Sequence, residues 1–261
     1  VDHGDHHTYD QIFTLSTEEE RDRLRHLTSV YDPITQHVIG SLTSPAGRTC
    51  LEIGAGSGSI AGWLADQGAQ VTALDRDDRF LPTHPRLTTV TGDALSEDFD
   101  PGPVFDLVHT RFVLIHVPRR DELLERLVSW LRPGGWLVIE ETADTTSATS
   151  PRPHHRNAMA AMWRVMHETA GTDITWTRHL PTPLAHHGLT DIGAHVSTLP
   201  FHGQDDMARM LHLSMKPLSR KMADTGLVTE AELADVHADF RNPWVWDLAF
   251  SMVSAWGRRG S

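Results

Sequence analysis

The chain has one cysteine, Cys50, among its 261 residues, so neither a disulfide within the chain nor a cysteine-rich zinc site can form. Cys50 lies in an apolar, strand-like run and reads as a small buried residue. No uncharged apolar run reaches the roughly 20 residues needed to cross a bilayer, and no secretory apolar segment is found; a soluble, cytoplasmic protein is the expectation. Basic residues are also short: 23 Lys and Arg against 35 Asp and Glu give a formal charge of −12. Nucleic-acid binding, which depends on clustered cations, is not expected. Eighteen histidines are present, with pairs at His154-His155 and His186-His187 and a cluster at His3, His6 and His7 in a polar N-terminal segment. No HExxH spacing occurs among them, and no metal site is expected. They read instead as surface or pocket histidines.

What is present has a regular order. The length suits one large α/β domain with an added cap better than two independent domains. Residues 17–30, "TEEERDRLRHLTSV", open on a Thr-x-x-Glu capping pattern and carry Leu24, Leu27 and Val30 at helical spacing, which predicts a helix. Strand-like runs follow at "TCLEI", "QVTALD", "LTTVTGD", "FDLVHT" and "WLVIEE", with helical patterns between them at 59–68, 77–81 and 119–132. That alternation predicts a doubly wound parallel sheet. "RPGG" at 132–135 is expected to stop the third of these helices and turn into the fifth strand. Past Glu141 the rhythm breaks: "TADTTSATSPRP" reads as a loop, 154–170 as a helix, and 191–201 and 247–257 as two last strands separated by a helical stretch. The expected organisation is an N-terminal helical lid over 1–44 and a main domain over 45–261, with cap insertions at 145–180 and 203–245.

The stretch "LEIGAGSGS" at 51–59 places three glycines after a strand and before a helix. Such a turn lets backbone N–H groups approach a ligand at a helix N-terminus. Its spacing is GxGxG, not the GxGxxG of a dinucleotide site, and Glu52 stands where such a strand is ordinarily apolar. A carboxylate there suits an amine-bearing ligand better than a pyrophosphate. Asp75, about 20 residues beyond the loop, ends the second strand where a carboxylate can accept both ribose hydroxyl protons. Asp93 ends the third strand. Each signal has an ordinary explanation by itself, as an unliganded turn or a helix-capping aspartate; the three acids in order at successive strand ends are the stronger sign.

With "LEIGAGSG", "ALD", "GDAL", "FDLVHTRFVLIHVP" and "LRPGGWLVIEE" in succession, the sequence resembles the class I S-adenosylmethionine-dependent methyltransferases. The resemblance is close over 45–142 and looser over the last two strands. It implies a Rossmann-like, mostly parallel seven-stranded sheet with a reversed last strand and a helical cap, and S-adenosylmethionine as cofactor. It also implies that Gly54, Ala55, Gly56 and Gly58 pack on the methionine part and that Glu52 supports its amino group. Asp75, with Arg76 beside it, would hold the ribose; Asp93 and Ala94 would flank the adenine; and His109 and Thr110 would offer backbone carbonyls to the amine. "YDQIF", "SVYDPIT" and "SAWGRR" are similar to the actinobacterial small-molecule branch, which implies that Tyr9 and Tyr31 close over the cofactor.

The acceptor is narrowed by what the fourth strand lacks. "HTRF" stands where an NPPY-type motif would serve adenine or glutamine-amide methylation, and no aspartate ends that strand to suggest a magnesium-dependent catechol enzyme. A small-molecule acceptor at a metal-free site remains, with no nucleic acid or membrane partner, in a monomer or homodimer. His116 is the candidate general base, because imidazole titrates near neutral pH; the ordinary alternative is that it caps or packs beneath the following helix. Arg111 can hold a substrate carboxylate or pair with Glu140 or Glu141. Met159, Trp163, Met166, Trp176 and His179 are candidate acceptor contacts, although Met at helical spacing also builds plain core. Methyl transfer to O, N or C of a small metabolite of specialised metabolism is the expected function. A cyclase or lyase using the same cofactor, and a non-catalytic binding or dimerisation module, are the alternatives.

Overall fold

The computed structural model describes residues 15–102 and 104–260, so Tyr9 and the His3, His6 and His7 cluster lie outside the described residues. Strands β1 (Thr49–Ile53), β2 (Gln70–Asp75), β3 (Leu87–Thr91), β4 (Phe105–Arg111), β5 (Leu131–Ala143), β6 (Leu189–His202) and β7 (Trp246–Arg259) form one seven-stranded sheet in the order β3-β2-β1-β4-β5-β7-β6. Parallel pairing joins β1 to β2 and β4, β2 to β3, and β4 to β5, while β7 runs antiparallel, as expected. Strand order reverses between β1 and β4. Such a switch point opens a crevice at the carboxyl ends of the strands, where open α/β sheets bind ligands.

The helices are α1 (Thr17–Leu42), α2 (Ser59–Asp66), α3 (Arg120–Trp130), α4 (Pro153–Ala170), α5 (Pro181–His186), α6 (Asp206–Met215), α7 (Ser219–Asp224) and α8 (Glu230–Asp239). The amphipathic spacing explains why α2 and α3 form: Ile60, Ala61, Leu64 and Ala65 are buried on the first, and Leu123, Leu124, Leu127 and Trp130 on the second. The core over one sheet face joins the α2 residues to Cys50, Val71, Ala73, Leu107 and Val138, with Val38 and Ile39 of α1. No helix among the described residues is long and apolar enough to cross a membrane.

Four local expectations are corrected. The N-cap of α1 is Ser16, not Thr17: Glu19 N–H donates to Ser16 Oγ at 3.2 Å, and Ser16 N–H to Glu19 Oε2 at 3.1 Å, a reciprocal capping box. The helix also runs to Leu42, through Pro33, because Tyr31, Thr35, Val38 and Ile39 recur at three- and four-residue spacing and are buried; tertiary packing outweighs the lost backbone bond. Finally, α3 stops at Trp130, but "RPGG" is taken into β5 as an irregularity and not a separate turn. Leu131 pairs with Phe105 and Trp136 with Leu107, so the extra residues bulge from the ladder. The 77–81 pattern shrinks to a single 3-10 turn, Asp78–Phe80.

The chain divides into two compact units. One holds most of the sheet: Tyr31–Thr142, Trp176–Ser197 and the residues from Met252 onward. The other gathers the described residues up to Val30, Ala143–Thr175 and Thr198–Ser251. Within that second unit α4 packs against α7 and α8, Asp205 caps α6 through Ala208 N–H at 2.7 Å, and Thr229 with Glu232 forms a capping box on α8.

Candidate cofactor and catalytic site

The glycine loop has the backbone that its sequence demands. Gly54 and Gly58 sit at φ +66° and +69°, a left-handed region that L side chains avoid. A β-carbon on Gly54 would lie 2.3 Å from Val113 Cγ2, and one on Gly58 2.3 Å from Pro82 Cδ. Gly56 N–H donates to Asp75 Oδ2 at 2.6 Å, and Asp77 N–H to Asp75 Oδ1 at 2.9 Å. Each carboxylate oxygen of Asp75 therefore accepts one backbone proton and keeps a lone pair for a further donor. Asp93 accepts Leu95 N–H at 2.8 Å and pairs through its other oxygen with Arg76. Ala94 beside it is buried. The acids at the ends of β2 and β3 are thus oriented by backbone donors, and Arg76 bonds to Asp93 across them.

Beneath the loop lies a buried charge network that sequence reasoning missed. Glu52 of β1 pairs directly with His109 of β4 in the parallel register. His109 Nδ1 lies 2.7 Å from Glu52 Oε2, and Nε2 lies 3.2 Å from Glu140 Oε2. His109 and Glu140 are fully buried and Glu52 nearly so. A carboxylate oxygen faces each ring nitrogen, so both nitrogens donate and the ring is an imidazolium. Burial by itself would lower the pKa of His109, but the charges of Glu52 and Glu140 outweigh it and raise it to about 9. Glu140 also accepts from Ser254 Oγ at 2.6 Å and from Thr35 Oγ1. The expected role of His109 rested on its backbone carbonyl; its side chain is what stands out. Polar residues at neighbouring strand ends, Glu52 and His109, were the available signal.

Arg111 does pair, but with α1 and not with Glu140 or Glu141: it donates to Asp32 at 2.8 Å and to Thr35 Oγ1 at 2.8 Å. Asp32 also accepts from Ser59 Oγ, the first residue of α2, at 3.1 Å. Tyr31 is buried with its ring edge-on to Phe112 at 5.1 Å. Phe112, at φ +58°, is one of few non-glycine residues in that region, and a strained backbone of this kind costs about 1–3 kcal/mol. Its N–H donates to Glu140 O at 2.8 Å, which helps to hold the bend where β4 ends.

On the opposite sheet face, Glu141 Oε1 accepts Val113 N–H at 3.0 Å and Leu114 N–H at 2.6 Å. It thereby anchors the 3-10 turn Leu114–His116 that carries the half-buried candidate base His116. Burial raises the Glu141 pKa to about 8, against the lowering effect of these backbone donors. Glu141 Oε2 and, at the end of β4, Thr110 Oγ1 are buried without a hydrogen-bond partner. The orphaned Thr110 hydroxyl, near the carboxyl end of the switch-point strand β4, fits a site that completes its hydrogen bonds with a ligand.

The candidate acceptor residues divide between the units. Met159, Trp163 and Met166 lie on α4, where Met159 and Met166 are buried and Trp163 Nε1 donates to Asp144 at 2.8 Å. Trp176 and His179 belong to the sheet unit, with Arg120 stacked over the Trp176 ring at 5.6 Å and His179 exposed. His154, His155 and Asp239 come together in the other unit with ligating atoms within 4.8 Å of one another. Both imidazoles bond to Asp239 Oδ2, at 2.8 and 3.2 Å, and Arg152 Nε lies 3.5 Å from the same oxygen. A guanidinium so close already neutralises that carboxylate, and the hydrogen bonds account for the cluster.

A doubly wound sheet with a left-handed glycine loop at its switch point, and acids at the ends of the strands beside it, defines an α/β protein of the doubly wound, Rossmann-like class. Residues 24–190 match the family described as the methyltransferase domain, and the chain belongs to that family. It is 32% identical over 131 residues to methyltransferase str3 of Strobilurus tenacellus, covering 49% of this chain and 47% of that one. It is 31% identical over 126 residues to phosphoethanolamine N-methyltransferase 1 of Triticum aestivum, covering 44% and 25%. The chain thus spans about half the length, or less, of these curated relatives. Among solved structures, Haemonchus contortus phosphoethanolamine N-methyltransferase 2, in complex with phosphomonomethylethanolamine and S-adenosylhomocysteine, superposes with a TM-score of 0.55 at 15% identity. That superposition covers 92% of this chain and 53% of the other, and shows a shared fold.

Proposed function

We propose that the chain binds S-adenosylmethionine at the β1–β4 switch point and transfers its methyl group to O, N or C of a small metabolite. The observation that carries this reading is Asp75, whose two oxygens are fixed by Gly56 and Asp77 N–H groups with a lone pair left on each for the ribose hydroxyls. When bound, S-adenosylmethionine supplies an electrophilic methyl group on its sulfonium. Gly54, Ala55, Gly56 and Gly58 give the methionine part close backbone approach. Glu52 meets the ammonium together with the backbone carbonyls of His109 and Thr110, while Asp93, Arg76 and Ala94 border the adenine. In-line displacement needs a positioned nucleophile and exclusion of water more than it needs a base; where a hydroxyl must lose its proton, His116 accepts it. Arg111, already paired with Asp32, serves better to fix the end of β4 to α1 than to hold an acceptor.

The lid over 1–44 and the cap insertions 145–180 and 203–245 select the acceptor in this reading. Its support is that the described residues up to Val30, Ala143–Thr175 and Thr198–Ser251 fall in one compact unit. The acidic charge of −12 favours a small molecule over nucleic acid, and a cytoplasmic setting belongs to the same proposal. The test is incubation with methyl-labelled cofactor and a panel of phenols, amines and keto acids. Acceptor-dependent release of S-adenosylhomocysteine is expected; no cofactor binding by calorimetry, or products other than a methylated acceptor, would overturn the proposal.

A further inference from the structure

Resting on the assignment of Glu52 to the cofactor's ammonium, we propose that His109 is a positioning residue, whose ring, clamped between Glu52 and Glu140, aims the Glu52 carboxylate at that ammonium. Strand alternation and register bring the three together: Glu52 lies opposite His109, and Glu140 follows Val138, the partner of His109, by two residues on the same face. The far end of the clamp cannot swing, because Glu140 is itself held by Ser254 of β7 and Thr35 of α1. At the near end one Glu52 oxygen, Oε2, is taken by His109, while Oε1 has no hydrogen bond among the described residues. The carboxylate is therefore fixed through one oxygen and open through the other, directly below the glycine loop.

The charges agree with that geometry. Two carboxylates and one imidazolium leave one net negative charge, which a single ammonium neutralises. The other charged groups around the cluster, Arg111 on β4 and Asp32 on α1, pair with each other at 2.8 Å. Cys50 on β1, two residues before Glu52 on the same face, is uncharged, its thiol pushed up to about 12 by burial. Without the imidazolium between them, Glu52 and Glu140 would face each other as buried like charges, which repel and would no longer hold the Glu52 side chain in place.

The test compares two ligands by calorimetry: S-adenosylhomocysteine, which carries the aminobutyrate arm, and 5′-methylthioadenosine, which lacks it and has no ammonium. His109→Gln should weaken S-adenosylhomocysteine roughly 10- to 100-fold, the loss of one charge-assisted hydrogen bond, and leave 5′-methylthioadenosine unchanged. Glu52→Gln should show the same selective loss, and the double variant should lose no more than either single one. Equal weakening of both ligands, or additive losses, would make His109 a purely structural residue. If His109→Gln does not fold, Glu140→Gln, which releases the far end of the clamp, must show the same selectivity, and its absence overturns the proposal. A wild-type protein that binds 5′-methylthioadenosine but prefers S-adenosylhomocysteine in no degree would instead refute the role of Glu52, from which this one follows.

Discussion

Replacing Asp75 by Ala separates the glycine loop's structure from its ligand. Two losses are expected. Within the free protein, the Gly56 and Asp77 N–H groups lose the acceptors they reach at 2.6 and 2.9 Å. Asp75 is half-buried, so water can replace it, and the destabilisation should stay near 1–2 kcal/mol. For a chain of this size that is a fall in Tm of roughly 2–8 °C. In the complex, two hydrogen bonds from ribose hydroxyls to a carboxylate disappear. At roughly 1.5–3 kcal/mol each, they amount to about 3–6 kcal/mol, or roughly two to four orders of magnitude in Kd. Calorimetry with S-adenosylmethionine, alongside thermal unfolding of the same preparation, checks both. A folded variant that binds with wild-type affinity would remove Asp75 from the cofactor site.

Stability should also respond to pH through Glu141 and His109, whose raised pKa values fall nearest to neutral pH. A group whose folded pKa lies above its unfolded value stabilises the protein fully below the unfolded pKa and loses that contribution as pH rises through the folded one. For Glu141 the window runs from 4.5 to about 8, and for His109 from 6.5 to about 9. His155, His212 and His237, whose pKa values burial lowers, give the opposite slope below 6.5, so urea unfolding should show declining stability from pH 6.5 to about 9. Glu141→Gln should flatten the lower part of the slope, and an unchanged slope would refute the assignment. A chelator-treated sample, verified metal-free by elemental analysis, should keep its turnover; activity restored only by zinc or magnesium would turn attention to His154, His155 and Asp239. Substituting Trp163 or Met166 should change which acceptor is used while S-adenosylmethionine affinity stays nearly constant, and equal losses in both would place the acceptor elsewhere.

The strands and most helices were legible because their signals are local. Runs such as "TCLEI" and "FDLVHT" are buried on both faces, as parallel strands are, and they fall where expected at Thr49–Ile53 and Phe105–Arg111. The glycine loop was legible for a similar reason, since left-handed backbone at Gly54 and Gly58 is a property of single residues. Asp75 could be placed because a strand's last residue must lie at the sheet's carboxyl edge; β3 stops at Thr91, so Asp93 lies two residues beyond the strand that it was expected to end. Errors came where packing decides. Helix α1 passes through Pro33 because its buried face holds a conformation that local preference disfavours.

The sequence by itself determined the order of strands and helices, the loop's backbone and the acids at the strand ends, all of which follow from short-range periodicity and the conformational range of single residues. Only the tertiary structure decided that Glu52, His109 and Glu140 form one buried cluster, that Arg111 answers to Asp32 in α1, and that Glu141 anchors the turn bearing His116. Those pairs are separated by tens of residues along the chain. They meet because parallel strands align residues by register, and a register depends on the whole sheet and the helices that cover it.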